Sequence, residues 1–169
     1  MMTKLAADVL VSAVEYSIDT NVLITAWHET YPPETFPRLW EQLDHLIAAG
    51  TLVATEEVLR ELEKREGDAL YRWAKQRPGM FHPHTEDVQR AVKRVLCTHP
   101  RLINVGRNKS GGDPWVVAVA IVHQAAVVTN ERPSDKPAKR PNIPDVCEAH
   151  GVRCITLVKL VQEQGWTFS

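Results

Sequence analysis

The chain has 169 residues, 44% apolar and 24% charged, enough to close one domain around a sizeable core, and it lacks the marks of a fibre or a disordered tail. Its net charge of −1 argues against a uniformly basic polyanion binder, so any nucleic-acid contact must come from a local patch. No apolar run is long enough to span a bilayer, and Met1 to Val14 makes a poor secretory signal, so no membrane and a cytoplasmic location are expected.

Residues 13 to 18 read as the first strand, ending on Ile18-Asp19-Thr20-Asn21 and passing straight into a helix carrying Val22, Leu23 and Trp27. Asp19 at such a junction is either a helix N-cap or a functional acid at the carboxyl end of a strand. Tyr31-Pro32-Pro33 breaks the helix, and a second one, about Pro37 to Ala49, has Leu39, Trp40, Leu43, Leu46 and Ile47 at helical spacing and stops at Gly50. Thr51 to Ala54 is a short second strand. Thr55 then caps a helix with Glu56 and Glu57 in its first turn. Glu57 and Glu61 share one helical face, which suits either a solvated surface or a pair of functional acids.

Asp68 to Gln76 and Thr85 to Cys97 read as further helices, the latter opened by a Thr85 cap with Glu86 and Asp87 in its first turn and bearing Arg90, Lys93 and Arg94 on its polar face. Gly106 to Asp113 has the look of a phosphate loop but lacks the G-x-x-x-x-G-K-[ST] spacing. It offers Arg107, Lys109 and Asp113, the last as a cap ahead of Pro114. Trp115 to Gln124 is apolar all round and therefore a buried helix, and Ala125 to Thr129 is a continuous apolar strand of the parallel-sheet kind. After Glu131 comes a basic loop with Arg132, Lys136, Lys139 and Arg140, then a short helix from Pro144 to near Gly151, a last strand at Val152 to Thr156 and a last helix at Leu157 to Gln164.

Alternating strands and helices without a linker predict one α/β domain over residues 1–169, with residues 1–12 as an N-terminal extension. It should be a three-layer α/β/α fold on a parallel sheet of four to five strands. Three cysteines, Cys97, Cys147 and Cys154, without paired spacing fit reduced thiols better than disulfides. Cys147, His150 and Cys154, and likewise His82-Pro83-His84, could be metal ligands, but a buried helix face, a strand and a loop account for them.

In such a sheet Asp19, Glu57, Glu61 and Glu131 follow strands, and Asp113 opens a helix running back down, so all should reach one rim. Oxygen ligands of this kind suit Mg²⁺ or Mn²⁺, the ligand set of metal-assisted phosphodiester hydrolysis.

The order Ile-Asp-Thr-Asn-Val-Leu-Ile, Val-Leu-Arg-Glu-Leu, Gly-Asp-Pro-Trp-Val-Val-Ala-Val-Ala and Val-Val-Thr-Asn-Glu resembles the PIN-domain nucleases over roughly residues 14 to 165. In particular it is similar to a PIN-like subfamily with an Ile-Pro-Asp-Val-Cys stretch near its end. That resemblance implies Asp19, Glu61 and Asp113 as metal-ligating acids, with Asn21 and Thr129 supporting them. Glu131 stands where the family usually has Asp, with Asp135 and Asp145 as alternatives for its role, Asp145 reading better as a first-turn helix acid. The resemblance further implies an endoribonuclease using Mg²⁺ or Mn²⁺, of the kind found as the toxin of a toxin–antitoxin pair, with an antitoxin and a second copy as partners. Arg107, Lys109, Arg132, Lys136, Lys139 and Arg140 would meet the RNA backbone. A PIN-like module that binds RNA or protein without catalysis is the alternative. A haloacid-dehalogenase phosphatase fits worst, because Asn21 stands where its second Asp is needed.

Overall fold

The computed structural model describes residues 13–65, 67–102, 113–137 and 141–168. β1 (Tyr16–Ile18) lies between β2 (Leu52–Thr55) and β4 (Ala126–Val128), and β3 (Phe81–His82) and β5 (Cys154–Ile155) extend the sheet on either side. All pairings are parallel, in the order β3-β2-β1-β4-β5. The three-layer α/β/α architecture expected from the alternation of strands and helices is the one found. β3 is the strand that the chain-order reading passes over as loop, because two residues between Gly79 and Pro83 carry no periodicity to detect.

Among the described residues eight α-helices cover the sheet: α1 (Thr20–Thr25), α2 (Pro37–Ala48), α3 (Glu56–Glu63), α4 (Ala69–Lys75), α5 (Glu86–Thr98), α6 (Asp113–His123), α7 (Ile143–Ala149) and α8 (Leu157–Glu163). α5 begins where the Thr85 cap predicts, with Thr85 Oγ1 accepting from Val88 N. α1 runs on into a wider turn, Ala26–Thr30, closed by Tyr31 N donating to Ala26 O at 2.8 Å. That turn delivers Trp27 to an aromatic cluster with Trp40 and Trp73, at ring-centroid separations of 4.7 and 5.8 Å. Arg77 closes the cluster, lying 4.4 Å over Trp73 while its guanidinium pairs with both oxygens of Asp44.

Strand alternation sorts the core. Ser17 Oγ donates to Val116 O at 2.9 Å, so Ser17 and its register partner Val53 face α6. Val53 packs with Val88, Ala91 and Val92 of α5 and with Ala118 and Val119 of α6. Tyr16, Ile18, Leu52 and Ala54 belong to the larger core with Val22, Leu23, Leu39, Leu43, Val58 and Leu62. α6 has Val116 through Ala120 buried without a break, which is why its sequence has no polar stripe. Each fully buried Val or Leu contributes roughly 1.5–3 kcal/mol against the entropy of ordering the chain.

The crossovers from β1 to β2 and β2 to β3 step one way along the sheet, and those from β3 to β4 and β4 to β5 step the other way. The reversal falls between β1 and β4. In open parallel sheets the crevice above that switch point is where ligands bind, because the loops on its two sides diverge to opposite faces.

Candidate functional site at the switch point

One step past the last paired residues of the sheet, the register sets Thr55 of β2, Asp19 after β1 and Thr129 after β4 side by side, with His82 of β3 directly paired to Thr55. Asp19 is 1% exposed, as are Thr55 and Thr129. A carboxylate so buried is costly unless it is hydrogen-bonded and its charge compensated. Thr129 Oγ1 donates to Asp19 Oδ2 at 3.2 Å, and Asp19 N donates to Val128 O, tying the first acid to the strand across the switch point. Asp19 has the extended backbone of an N-cap, but its side chain makes no cap bond to α1.

The other predicted residues fall out differently. Glu57 is paired with Arg60 on its own helix, whereas Glu61 Oε1 is buried without a hydrogen-bond partner. Glu131 N donates to Thr129 Oγ1 at 3.1 Å, and Glu131 Oε2 accepts from Ile143 N at 2.8 Å, so the longer carboxylate anchors the start of α7. Asp145 Oδ2 accepts from Asn142 N and Ser134 N, a capping box that makes it a first-turn helix acid. Asn21 is exposed on the first turn of α1, and Arg132, Asp135 and Lys136 are exposed in the loop beyond Glu131.

Asp113 is the first residue of α6, and Ser17's bond to Val116 O holds that first turn against β1. Its side chain lies outside the described residues. So do Arg107, Lys109, Lys139, Arg140 and residues 1–12.

Among the described residues no three His, Cys, Asp or Glu side chains stand together closely enough to hold a metal ion. Cys147 and Cys154 hydrogen-bond each other, which with burial holds the Cys147 thiol well above its usual range. His150 turns away from them, its Nε2 3.0 Å from Thr98 Oγ1. His82 Nε2 lies 2.8 Å from His123 Nε2, while His84 stacks on Trp115, so the His-Pro-His pair is divided. A cleft of about 570 Å³ lies between Thr98–Arg101 and α7, bordered by Asp145 and Glu148, but Asp19, Thr55 and Glu61 do not line it.

Two residues that the sequence marked only as a helix cap and as a weak metal-ligand candidate carry buried side-chain atoms without a partner among the described residues. Thr55, read as a helix cap, makes no side-chain cap bond, and its Oγ1 is buried without a partner among the described residues. His84 Nε2 is likewise buried without one. With Glu61 Oε1 these are the three such side-chain atoms in the described structure, and all three belong to the segment from the end of β2 to the start of α5. A buried polar atom left unpaired costs about 1–3 kcal/mol.

The fold and rim define a doubly wound α/β/α domain with a buried acid at its switch point. By sequence the chain belongs to the family described as Domain of unknown function (DUF4411), whose model matches residues 16–168. A search of the curated proteins returns no match. Among solved structures, the chain is similar to one from VapBC2 of Rickettsia felis bound to a DNA fragment from their promoter, with 15% identity and a TM-score of 0.49, covering 85% of this chain and 98% of that one. No helix among the described residues is long and apolar enough to cross a membrane.

Proposed function

We propose that the protein is a Mg²⁺- or Mn²⁺-dependent endoribonuclease of the PIN type. The observation that carries the reading is the rim itself: Asp19 buried at the switch point and bonded by Thr129, with the unpartnered Glu61 Oε1 on the neighbouring connection. The donor set fits a hard cation, since it consists of carboxylate oxygens and hydroxyls with no thiolate or imidazole among the proposed ligands. Asp19, Glu61 and Asp113 would hold the ion. When bound, it would activate a water and neutralise charge building on the phosphate.

The chain's own residues supply the rest. Thr129 orients Asp19 from behind, as outer partners of metal ligands do. Glu131 is fixed by Ile143 N, and acts through Thr129 or an intervening water. Asn21 supports Asp19 from the first turn of α1. Arg132 and Lys136, with Arg107, Lys109, Lys139 and Arg140, meet the RNA backbone, so binding weakens as salt rises.

The motif resemblance extends the proposal to a toxin held in check by an antitoxin, acting as a homodimer in the cytoplasm. Co-purification of a neighbouring small open reading frame's product, and its suppression of cleavage, would support that extension.

The test is RNA cleavage with and without EDTA, comparing the wild type with Asp19→Asn and Asp113→Asn. Metal-dependent cleavage by the wild type and none by the variants is expected. Equal cleavage by all three discards the reading. The capture of Glu131 by α7 favours a second reading, a PIN-like RNA- or protein-binding module without catalysis. RNA binding that persists in Asp19→Asn without any saturable Mn²⁺ binding by the wild type would select it.

A further inference from the structure

His84 is held on two sides. Its ring stacks on Trp115 in the first turn of α6, with centroids 3.7 Å apart and planes within 14°. Its Nδ1 lies 3.8 Å from Glu56 Oε2 in the first turn of α3. The imidazole is therefore fixed between the start of α3, the helix that carries Glu61, and the first turn of α6, which begins at Asp113, and its Nε2, on the far side of the ring from Nδ1, is buried without a partner among the described residues. Its neighbour in kind, His82, differs in this respect, because its Nε2 meets His123. Thr55, in register with His82, adds a second unpartnered atom between His84 and Asp19.

We infer that His84 contacts the substrate, its Nε2 donating a hydrogen bond to a phosphate oxygen of the RNA strand on the β3 side of the cleaved bond, with the Thr55 hydroxyl lining the path between. This deepens the nuclease reading and rests on it. β3 is two strand spacings from β1, roughly 10 Å. That is beyond the ~2.1 Å reach of a ligand to an ion held by Asp19, yet within the span of one strand lying across the rim. A hydroxyl and an imidazole are neutral or cationic donors, the complement of an anionic oxygen and a poor complement to a second metal beside the acids. Stacking on Trp115 fixes where Nε2 points before any ligand arrives, which lowers the ordering cost of the contact.

The experiment separates the Nε2 contact from the stacking. A Gln side chain can place an amide nitrogen where His has Nε2, an Asn side chain reaches only as far as Nδ1, and neither amide replaces the aromatic ring on Trp115. Binding of a labelled single-stranded RNA oligonucleotide, steady-state cleavage of the same RNA, Mn²⁺ binding and thermal melting are measured for the wild type, His84→Ala, His84→Asn and His84→Gln. The Ala and Asn variants should bind RNA on the order of tenfold more weakly, the loss of one hydrogen bond to a charged group, and should raise KM more than they lower kcat. His84→Gln should recover most of that loss, and Mn²⁺ binding should be the same in all four. Three variants that bind like the wild type, or three that lose binding equally, overturn the inference while leaving the nuclease reading intact. A wild type that neither binds nor cuts RNA overturns both.

Discussion

At the start of β1 the Tyr16 hydroxyl accepts from Gln164 Nε2 at 3.0 Å and donates to Glu163, whose carboxylate is in turn gripped by both terminal nitrogens of Arg153. Three residues along the same strand direction, the chain reaches Asp19, buried and in register with Thr55, whose hydroxyl is buried without a partner among the described residues. The first end is a network in which polar groups satisfy one another. Burial and the nearby Glu163 carboxylate hold the Tyr16 phenol above its usual range, with the bond from Gln164 pulling the other way, so the ring stays a neutral donor and acceptor. The second end tolerates unpaired atoms at a cost that folding alone would remove. Among the described residues the buried side-chain atoms without a partner all fall on the segment that follows β2, and under the proposed function that edge of the sheet is the one reserved for a ligand.

The largest expected effect tests the reserved edge. Glu61→Gln should lower RNA cleavage roughly 100-fold or more, the scale of losing one charge-stabilising group, and leave thermal stability unchanged or slightly raised. A melting temperature that falls as sharply as the activity would mean that Glu61 belongs to the structural class of Tyr16. On the structural side, Trp40→Ala should cost about 3–5 kcal/mol, measured by urea denaturation. Trp40 is 4% exposed, packs on both Trp27 and Trp73, and donates from Nε1 to Tyr31 O at 2.7 Å.

A matched pair of small substitutions sharpens the contrast further. Tyr16→Phe removes a hydroxyl that has partners and should cost about 1 kcal/mol with no change in cleavage. Thr55→Val removes one that has none, so stability should hold or rise by a similar amount while RNA affinity drops. Equal losses of stability in the two variants would erase the difference between the ends of β1.

Much of this was legible in the sequence, because the signals were local. The periodicity of Leu39, Trp40 and Leu43, the Thr85 cap and the unbroken apolar run of α6 each encode an element within a dozen residues. Asp19 was legible as a strand-to-helix acid, and Glu61 could be set above Glu57 only through the family pattern; the structure adds the reason that Arg60 occupies Glu57. What was not legible depends on register between distant segments. Thr55 looks like an N-cap because its backbone has that conformation, and only the absent cap bond shows its hydroxyl to be unused. Thr129 was marked as a supporting hydroxyl only through the family pattern, and its bond to Asp19, like the Trp115 stack that singles out His84, joins residues too far apart in sequence for any spacing to reveal.

The smallest effect concerns a histidine contact that has partners and should leave activity alone. Burial first, and then the facing His82, hold the His123 pKa below its usual 6.5, and burial, His99 and Arg94 do the same for His150. A histidine whose folded pKa is depressed is protonated more readily in the unfolded chain, so acid favours unfolding. Its contribution to stability is complete above about pH 6.5 and is lost as the pH falls through the lower folded value. Thermal melts should therefore be level from about pH 8 to 7 and decline by a few degrees between about pH 6.5 and 5. The double variant His123→Gln/His150→Gln should flatten that stretch of the curve and leave the steeper loss at lower pH, where carboxylates titrate. Superimposable curves for variant and wild type would show that these imidazoles do not sense folding.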